Sequence, residues 1–260
     1  MNITFYKYEG AGNDFVMIDN RNIRSSFTIR QIAKLCDRHF GIGADGLILL
    51  ENDKEHDFYM RYFNADGREA TLCGNGGRCA VAFARKLELI ERETVFRAAD
   101  GVHTAHILAY EQTAIVKLQM HDVDHWNKHG EDLVIDTGSP HYVKFVDNCG
   151  ITDVTALGRE IRNSEPFRND GINVDFVSDH GTFLEMRTYE RGVESETLAC
   201  GTGAVASALA YALRGKNPPV KINALGGSLT VDFQFVNNRF TDISLTGPAT
   251  FVFRGIINIR

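Results

Sequence analysis

Apolar positions along the 260-residue chain recur with two periods, one of about two residues and one of about three to four, so strands and helices alternate. In the first half, positions 3–8 alternate and Phe15-Val16-Met17-Ile18 is a short apolar run; both read as strands. Thr28-Ile29-Arg30-Gln31 has the spacing of a capping box, and Ile29, Ile32, Leu35 and Cys36 form a helical stripe that ends before Gly41. Segments 46–51 and 57–63 read as strands, and a helix carrying Val81, Phe83, Ala84 and Leu87 follows Cys73. Segments 95–98, 102–109 and 114–118 read as three further strands separated by turn residues.

The second half follows a similar course. Segments 133–135 and 142–145 read as strands, 153–161 as a helix, and 173–177 and 183–189 as strands. Cys200 precedes a helix with Val205, Ala208, Leu209 and Ala212 that closes at Gly215, and 220–222, 229–235, 240–245 and 251–257 read as late strands. Met60-Arg61-Tyr62 leads to Thr71-Leu72-Cys73, as Met186-Arg187-Thr188 leads to Thr197-Leu198-Ala199-Cys200. Asn13-Asp14-Phe15-Val16 is echoed by Asn173-Val174-Asp175-Phe176-Val177, which pairs Asn13 with Asn173 at an offset of 160 while the cysteines pair at 127. This predicts an internal repeat with unequal insertions. The expected architecture is α+β: two pseudo-symmetric domains, residues 1–120 and 121–250, each a mostly antiparallel curled sheet or barrel around a central helix. The final strand, about 250–260, is free to pack back on the first domain, and a cleft between the domains would bring the two helix starts face to face.

Composition narrows the functional classes. The 28 basic and 34 acidic side chains leave a net charge of −6, which disfavours nucleic acid or an anionic membrane as partner. No apolar run approaches the roughly 20 residues needed to span a bilayer. Met1-Asn2-Ile3-Thr4-Phe5 has neither a basic nor an apolar signal region, so a cytoplasmic location is expected. Five cysteines are an odd and sparse set, unlike a disulfide framework. The expected partner is a small-molecule substrate, with a homodimer as the candidate assembly.

The chemistry concentrates on Cys73-Gly74-Asn75-Gly76-Gly77 and Cys200-Gly201-Thr202-Gly203. Each places a thiol where exposed N–H groups and the helix dipole favour an anion. Gly41-Ile42-Gly43-Ala44-Asp45-Gly46 has the spacing of a dinucleotide fingerprint but follows a helix and opens a strand, the reverse of what that site needs, so it reads as a structural turn. Cys73 and Cys79 lie six apart on a helix and face different ways, so no metal centre is expected. Cys36, Cys79 and Cys149 read as buried structural thiols, and His103, His106, His121, His125 and His129 as solvated. His141 opens a strand after a turn and is a candidate for function. Asn64 and Glu190, like Asn13 and Asn173, read as symmetric pairs in a binding ring.

Gly10-Ala11-Gly12-Asn13-Asp14-Phe15, Phe63-Asn64-Ala65-Asp66-Gly67, Leu72-Cys73-Gly74-Asn75-Gly76-Gly77-Arg78-Cys79, Glu190-Arg191-Gly192-Val193 and Thr197-Leu198-Ala199-Cys200-Gly201-Thr202-Gly203 resemble, in order, the blocks of the diaminopimelate epimerase family. The resemblance implies a cofactor-independent isomerase that interconverts LL- and meso-diaminopimelate in lysine and cell-wall precursor synthesis. It implies Cys73 and Cys200 as the acid–base pair, and substrate contacts from Asn13, Asn64, Gly74, Asn75, Asn173, Glu190, Arg191, Gly201 and Thr202. By the same resemblance His141 and Glu190 adjust the thiols, His141 beside Cys73 and Glu190 beside Cys200. Ser139 stands where the family often has Asn, Gly46 where some members have a polar substrate ligand, and the loop at 193–197 is one residue longer than usual. A two-cysteine racemase for another amino acid is the nearest alternative; a non-catalytic ligand-binding or thiol-redox protein on the same fold is the other.

Overall fold

A capping box forms at Thr28, as the sequence requires: its Oγ1 accepts from Gln31 N at 3.3 Å and Gln31 Oε1 accepts from Thr28 N at 3.0 Å. It starts α1 (Ile29–Cys36), whose inward stripe of Ile32, Leu35 and Cys36 packs on apolar strand residues such as Leu47 and Leu49. The computed structural model describes residues 2–23 and 26–259; Met1 and Arg260, which bound the ranges expected above, lie outside them. Two units emerge, residues 1–118 with 247–260, and Gln119–Thr246.

Unit 1 contains β1 (Asn2–Gly10), β2 (Asn13–Asp19), α1, β3 (Gly46–Glu51), β4 (Tyr59–Asn64), β5 (Glu69–Ala70), α2 (Gly74–Lys86), β6 (Glu93–Ala98), β7 (Gly101–Tyr110) and β8 (Thr113–Gln119). Pairings run β1–β2–β3–β4–β6–β7–β8, and the later part of β17 (Arg239–Asn258) joins β8 to β1, closing the ring. Inside it lies α2, with every residue from Gly74 to Ala84 buried. A helix surrounded by strands has no polar face to offer. Its one charged interior residue, Arg78, is satisfied by Asn75 Oδ1 at 2.9 Å, Gly74 O at 3.2 Å and Pro248 O at 3.3 Å.

Unit 2 contains β9 (Trp126–His129), β10 (Asp132–Asp136), β11 (Pro140–Phe145), α3 (Val154–Asn163), β12 (Asn173–Asp179), β13 (Leu184–Glu190), β14 (Ser195–Thr197), α4 (Gly201–Ala212), β15 (Val220–Ala224), β16 (Gly227–Val236) and the start of β17. Its strands run β9–β10–β11–β12–β13–β15–β16–β17, and Val123 bridges back to Phe240. They curl around α4, an alanine-rich helix buried from Gly201 to Tyr211 except at Thr202.

Both units are mostly antiparallel, with parallel steps at β2–β3 and β4–β6 in one and at β11–β12 and β13–β15 in the other. A helix sits between the two strands of each parallel pair, as a parallel crossover demands. β3 and β12 are covered on both faces; β3 reads as a continuous apolar run, while β12 buries Asn173, Asp175 and Ser178 among its apolar residues.

The registers correct the repeat. Phe15 faces Gly46 and Leu47 faces Phe63 in unit 1; His141 faces Asn173 and Val174 faces Tyr189 in unit 2. Corresponding positions are therefore 126 or 127 apart throughout, and the counterpart of Asn173 is Gly46, not Asn13. Asn13 corresponds to Ser139, and Asn64 to Glu190. The unequal insertions inferred from the Asn-Asp-Phe echo are not needed.

Two further expectations change. The two late strands at 240–245 and 251–257 are one strand of 20 residues, because Gly247-Pro248 continues the extended chain. Pro248 keeps a register partner in Ile115. His103 is not solvated: β7 alternates, so His103 turns inward with Ala105 and Ile107, where Asp100 Oδ1 meets its Nε2 at 3.3 Å. The short strands β5, β9 and β14 carried no sequence signal of their own.

Candidate active site

Both cysteines are N-cap residues, with extended backbones at φ −92° for Cys73 and −120° for Cys200. Neither sulfur caps a backbone N–H of its own helix, so the leading N–H groups of α2 and α4 are left for other acceptors. Glycines let these starts sit deep in each unit. A Cβ on Gly76 would come within 3.1 Å of Ile48 Cδ1, and one on Gly203 within 2.5 Å of Asp175 Oδ1.

In unit 1, Asn13 Oδ1 lies 3.5 Å from Cys73 Sγ and accepts from Asn75 Nδ2 at 3.4 Å. The other end of that amide, Asn13 Nδ2, donates to Asp45 Oδ2 at 2.6 Å. Asp45 belongs to a charged network at the turn into β3. Arg38 grips Asp14 with both Nη atoms, at 2.8 and 3.1 Å, and reaches Asp45 Oδ1 at 2.7 Å. Lys7 is 2.6 Å from Asp14 and also donates to Gly43 O. Burial would raise the Asp14 carboxyl, but hydrogen bonds from Arg38 and Lys7 outweigh it and bring it down to about 2. Asn64 ends β4 at an exposed turn, in register with Gly46, and its carbonyl accepts from Gly67 N at 2.9 Å.

In unit 2, His141 is fully buried between three groups. Its Nδ1 is 2.7 Å from Asp175 Oδ2 and its Nε2 2.9 Å from Thr202 Oγ1, which in turn is 3.4 Å from Cys200 Sγ. Thr188 donates to the second Asp175 oxygen at 2.6 Å. Burial alone would lower the His141 imidazole. The charge and hydrogen bond of Asp175, with a smaller contribution from Cys200, overcome this and raise it to about 10. His141 is thus a neighbour of Cys200, where the sequence reading attached it to Cys73; β11 and α4 belong to the same unit. Asn173 extends the cluster: its Nδ2 donates to Ser139 Oγ at 2.8 Å and its Oδ1 accepts from Arg191 N at 2.9 Å. Glu190 closes β13, immediately before Arg191.

The structure therefore gathers Asn13, Cys73 and Asn75 in one unit, and His141, Asn173, Arg191 (through its backbone), Cys200 and Thr202 in the other. Two carboxylates went unnoticed in the sequence. Asp175 could have been found from alternation along β12, which puts it on the same face as Asn173. Asp45 carried no signal beyond a turn. The remaining thiols fit structural roles: burial pushes Cys36 up to about 12 and raises Cys79 and Cys149. No described helix is long and apolar enough to cross a membrane.

This fold is shared with a hydroxyproline epimerase from Agrobacterium vitis, at TM-score 0.72 and 16% identity over 98% of this chain and 92% of that one. A PhzF-family phenazine biosynthesis protein from Bacillus anthracis gives TM-score 0.77 at 15% identity, with both chains fully covered. On this fold, a cysteine stands at each of the two repeated helix starts. The family model described as diaminopimelate epimerase matches residues 5–126 and 133–252. A protein named diaminopimelate epimerase from Flavobacterium psychrophilum is 51% identical over 97% of this chain and 99% of its own length. One of the same name from Chlorobaculum tepidum is 42% identical over 96% and 99%. The chain belongs to the diaminopimelate epimerase family.

Proposed function

We propose that this protein interconverts LL- and meso-diaminopimelate by moving one α-proton between two thiols, Cys73 and Cys200, without an organic cofactor. The observation that carries the mechanism is the repeated placement of a cysteine at the N-cap of a buried helix, at corresponding positions of two units with matching registers. An α-proton beside a carboxylate is weakly acidic, so the carbanion-like transition state needs stabilisation where charge grows. Helix-start N–H groups from Gly74-Asn75 and Gly201-Thr202 are suited to that. One sulfur must be anionic and the other protonated, since two anions facing one carbon would repel, and the pair then titrates as a coupled system. Each sulfur has to approach the α-carbon to about 3–3.5 Å, from opposite faces.

His141 contributes positive charge on the side where Cys200 must carry its negative charge when it acts as base. Asp175 fixes Nδ1, so Nε2 is directed at the Thr202 hydroxyl and through it at the sulfur. Asn13, Asn64 and Asn173 supply amides for the ammonium and carboxylate groups of the substrate. Glu190 and Arg191 supply a carboxylate and a guanidinium for its distal amino-acid head. A role in lysine and cell-wall precursor synthesis fits a reducing cytoplasm, which would keep both thiols available. A homodimer is the assembly to test, by light scattering.

Deuterium incorporation at the α-carbon of LL-diaminopimelate in D₂O tests the reading. The wild type is expected to exchange and epimerise. Cys73→Ala and Cys200→Ala are expected to lose more than 99% of turnover, on the order of the 10²–10⁴-fold contribution of a positioned acid or base, while staying folded by circular dichroism. Normal turnover in either variant sinks the two-thiol mechanism. Exchange with another amino acid but not with diaminopimelate would reassign the substrate.

A further inference from the structure

The amide of Asn13 has two unlike ends, and its surroundings decide which end faces the reacting sulfur. Asp45 Oδ2 lies 2.6 Å from one end and is acceptor-only when ionised. The NH₂ group must therefore point to Asp45. The reverse orientation would set two oxygens against each other at a distance where they repel. The carbonyl end is then forced toward Cys73 Sγ at 3.5 Å and Asn75 Nδ2 at 3.4 Å. Oδ1 can only accept, so a hydrogen bond with the sulfur requires the sulfur to donate, and a thiol donates where a thiolate cannot.

We propose that Asp45 is a positioning residue for the reaction: it locks the Asn13 amide so that its oxygen faces Cys73 and holds that sulfur as the protonated partner in the resting protein. The lock is built into the fold. Asp45 Oδ2 also accepts from Asp14 N at 3.1 Å, and Asp14 Oδ1 accepts from Asp45 N at 3.1 Å, a reciprocal clasp between β2 and the turn before β3. Arg38 bridges both carboxylates and Lys7 secures Asp14, so the Asp45 side chain has little freedom to release the amide.

The consequence is a resting asymmetry within a repeated frame. In unit 1 the thiol faces an acceptor. In unit 2 Cys200 faces a hydroxyl backed by the His141–Asp175 pair, and a hydroxyl can donate as well as accept. Unit 2 has no counterpart of the Asn13 amide at this place, because Ser139 stands there. The resting protein is thus poised with Cys73 as acid, and substrate whose α-proton faces Cys200 is deprotonated first. Charged and titratable groups near Cys73 within unit 1 include Arg78 and Cys79 on its own helix, and Glu9 of β1 reaches both of those. All three remain in every variant compared below.

The inference rests on reading Cys73 as one of the two proton-transfer groups, yet it can be tested without turnover. Iodoacetamide alkylation of full-length protein, followed at the Cys73 peptide by mass spectrometry over a pH series, reports the thiolate fraction directly. Asp45→Ala and Asn13→Ala are each expected to speed Cys73 alkylation at neutral pH by about fivefold to tenfold, the worth of one hydrogen bond. The double variant Asn13→Ala/Asp45→Ala is expected to match Asn13→Ala alone, because Asp45 acts through the amide. Equal increments from Asp45→Ala with and without Asn13 would mean a plain charge effect and overturn the proposal. So would unchanged alkylation in Asn13→Ala, a variant that leaves the carboxylate network intact if Asp45→Ala fails to fold. Alkylation as predicted together with absent epimerisation would refute the proposed function and leave this assignment standing.

Discussion

His141 shows how one residue joins stability to chemistry. With no solvent around it, an imidazole is ordinarily neutral, but Asp175 at 2.7 Å turns it into a buried cation raised to about 10. Its folded value lies above the unfolded value of 6.5, so the stability it contributes is complete below pH 6.5 and is lost as pH rises through 10. Stability against denaturant is therefore expected to fall steadily across that window, by at most about 1.4 kcal/mol per pH unit. Asp175→Asn is expected to be less stable at pH 6 and to lose most of this slope; an unaltered slope would show that the pair does not hold the proton. The sequence marked His141 and both N-cap cysteines because a thiol or an imidazole at such a place is rare. It did not mark Asp175 or Asp45, since a carboxylate in a strand or turn is common and only the fold reveals what it touches.

At the scale of the element, the start of α4 decides a sign. Gly→Ala in an exposed helix raises stability by about 1 kcal/mol. At Gly203 the added Cβ would lie 2.5 Å from Asp175 Oδ1, an atom that Thr188 holds in place. Gly203→Ala is thus expected to destabilise by about 1–3 kcal/mol, the range for overpacking, and to disturb His141 through Asp175. A urea midpoint at or above wild type would contradict this. Periodicity located most strands and also α1 and α3, which each bury one face; α2 and α4 are buried on all sides and were marked instead by the Cys-Gly starts and the apolar residues that follow them. It could not give strand direction, so the parallel steps were invisible. It also split β17 at Gly247-Pro248, where side-chain chemistry suggested a break and the backbone keeps going. The echo of Asn13 in Asn173 misled for a related reason: similar residues at strand starts reflect turn preference as readily as common position.

At the scale of the molecule, unit 2 is an insertion within unit 1. Residues 119–246 separate β8 from the last strand segment of the ring it belongs to. That segment pairs with β1 from Asn2 to Glu9 and with β8 from Thr113 to Val116, and its Pro248 carbonyl accepts from the buried Arg78. Truncation after Thr246 is expected to unfold unit 1 while leaving the pairings of unit 2 in place. Hydrogen exchange would show protection lost across β1, β2 and α2 and kept across β11, β12 and α4; protection retained in β1 would disprove the dependence.

The interleaving also dictates an order of birth. As the chain leaves the ribosome, β9 to β16 and the first residues of β17 are all available before the segment that closes the ring around α2 has been made. The inserted unit can mature while the one that encloses it waits. A nascent chain interrupted near residue 246 holds Cys200 in its finished surroundings and Cys73 on a helix whose enclosure is still open. On the two-thiol mechanism proposed above, proton exchange on both faces of a substrate needs that last stretch, so chains that lack it are expected to be inactive.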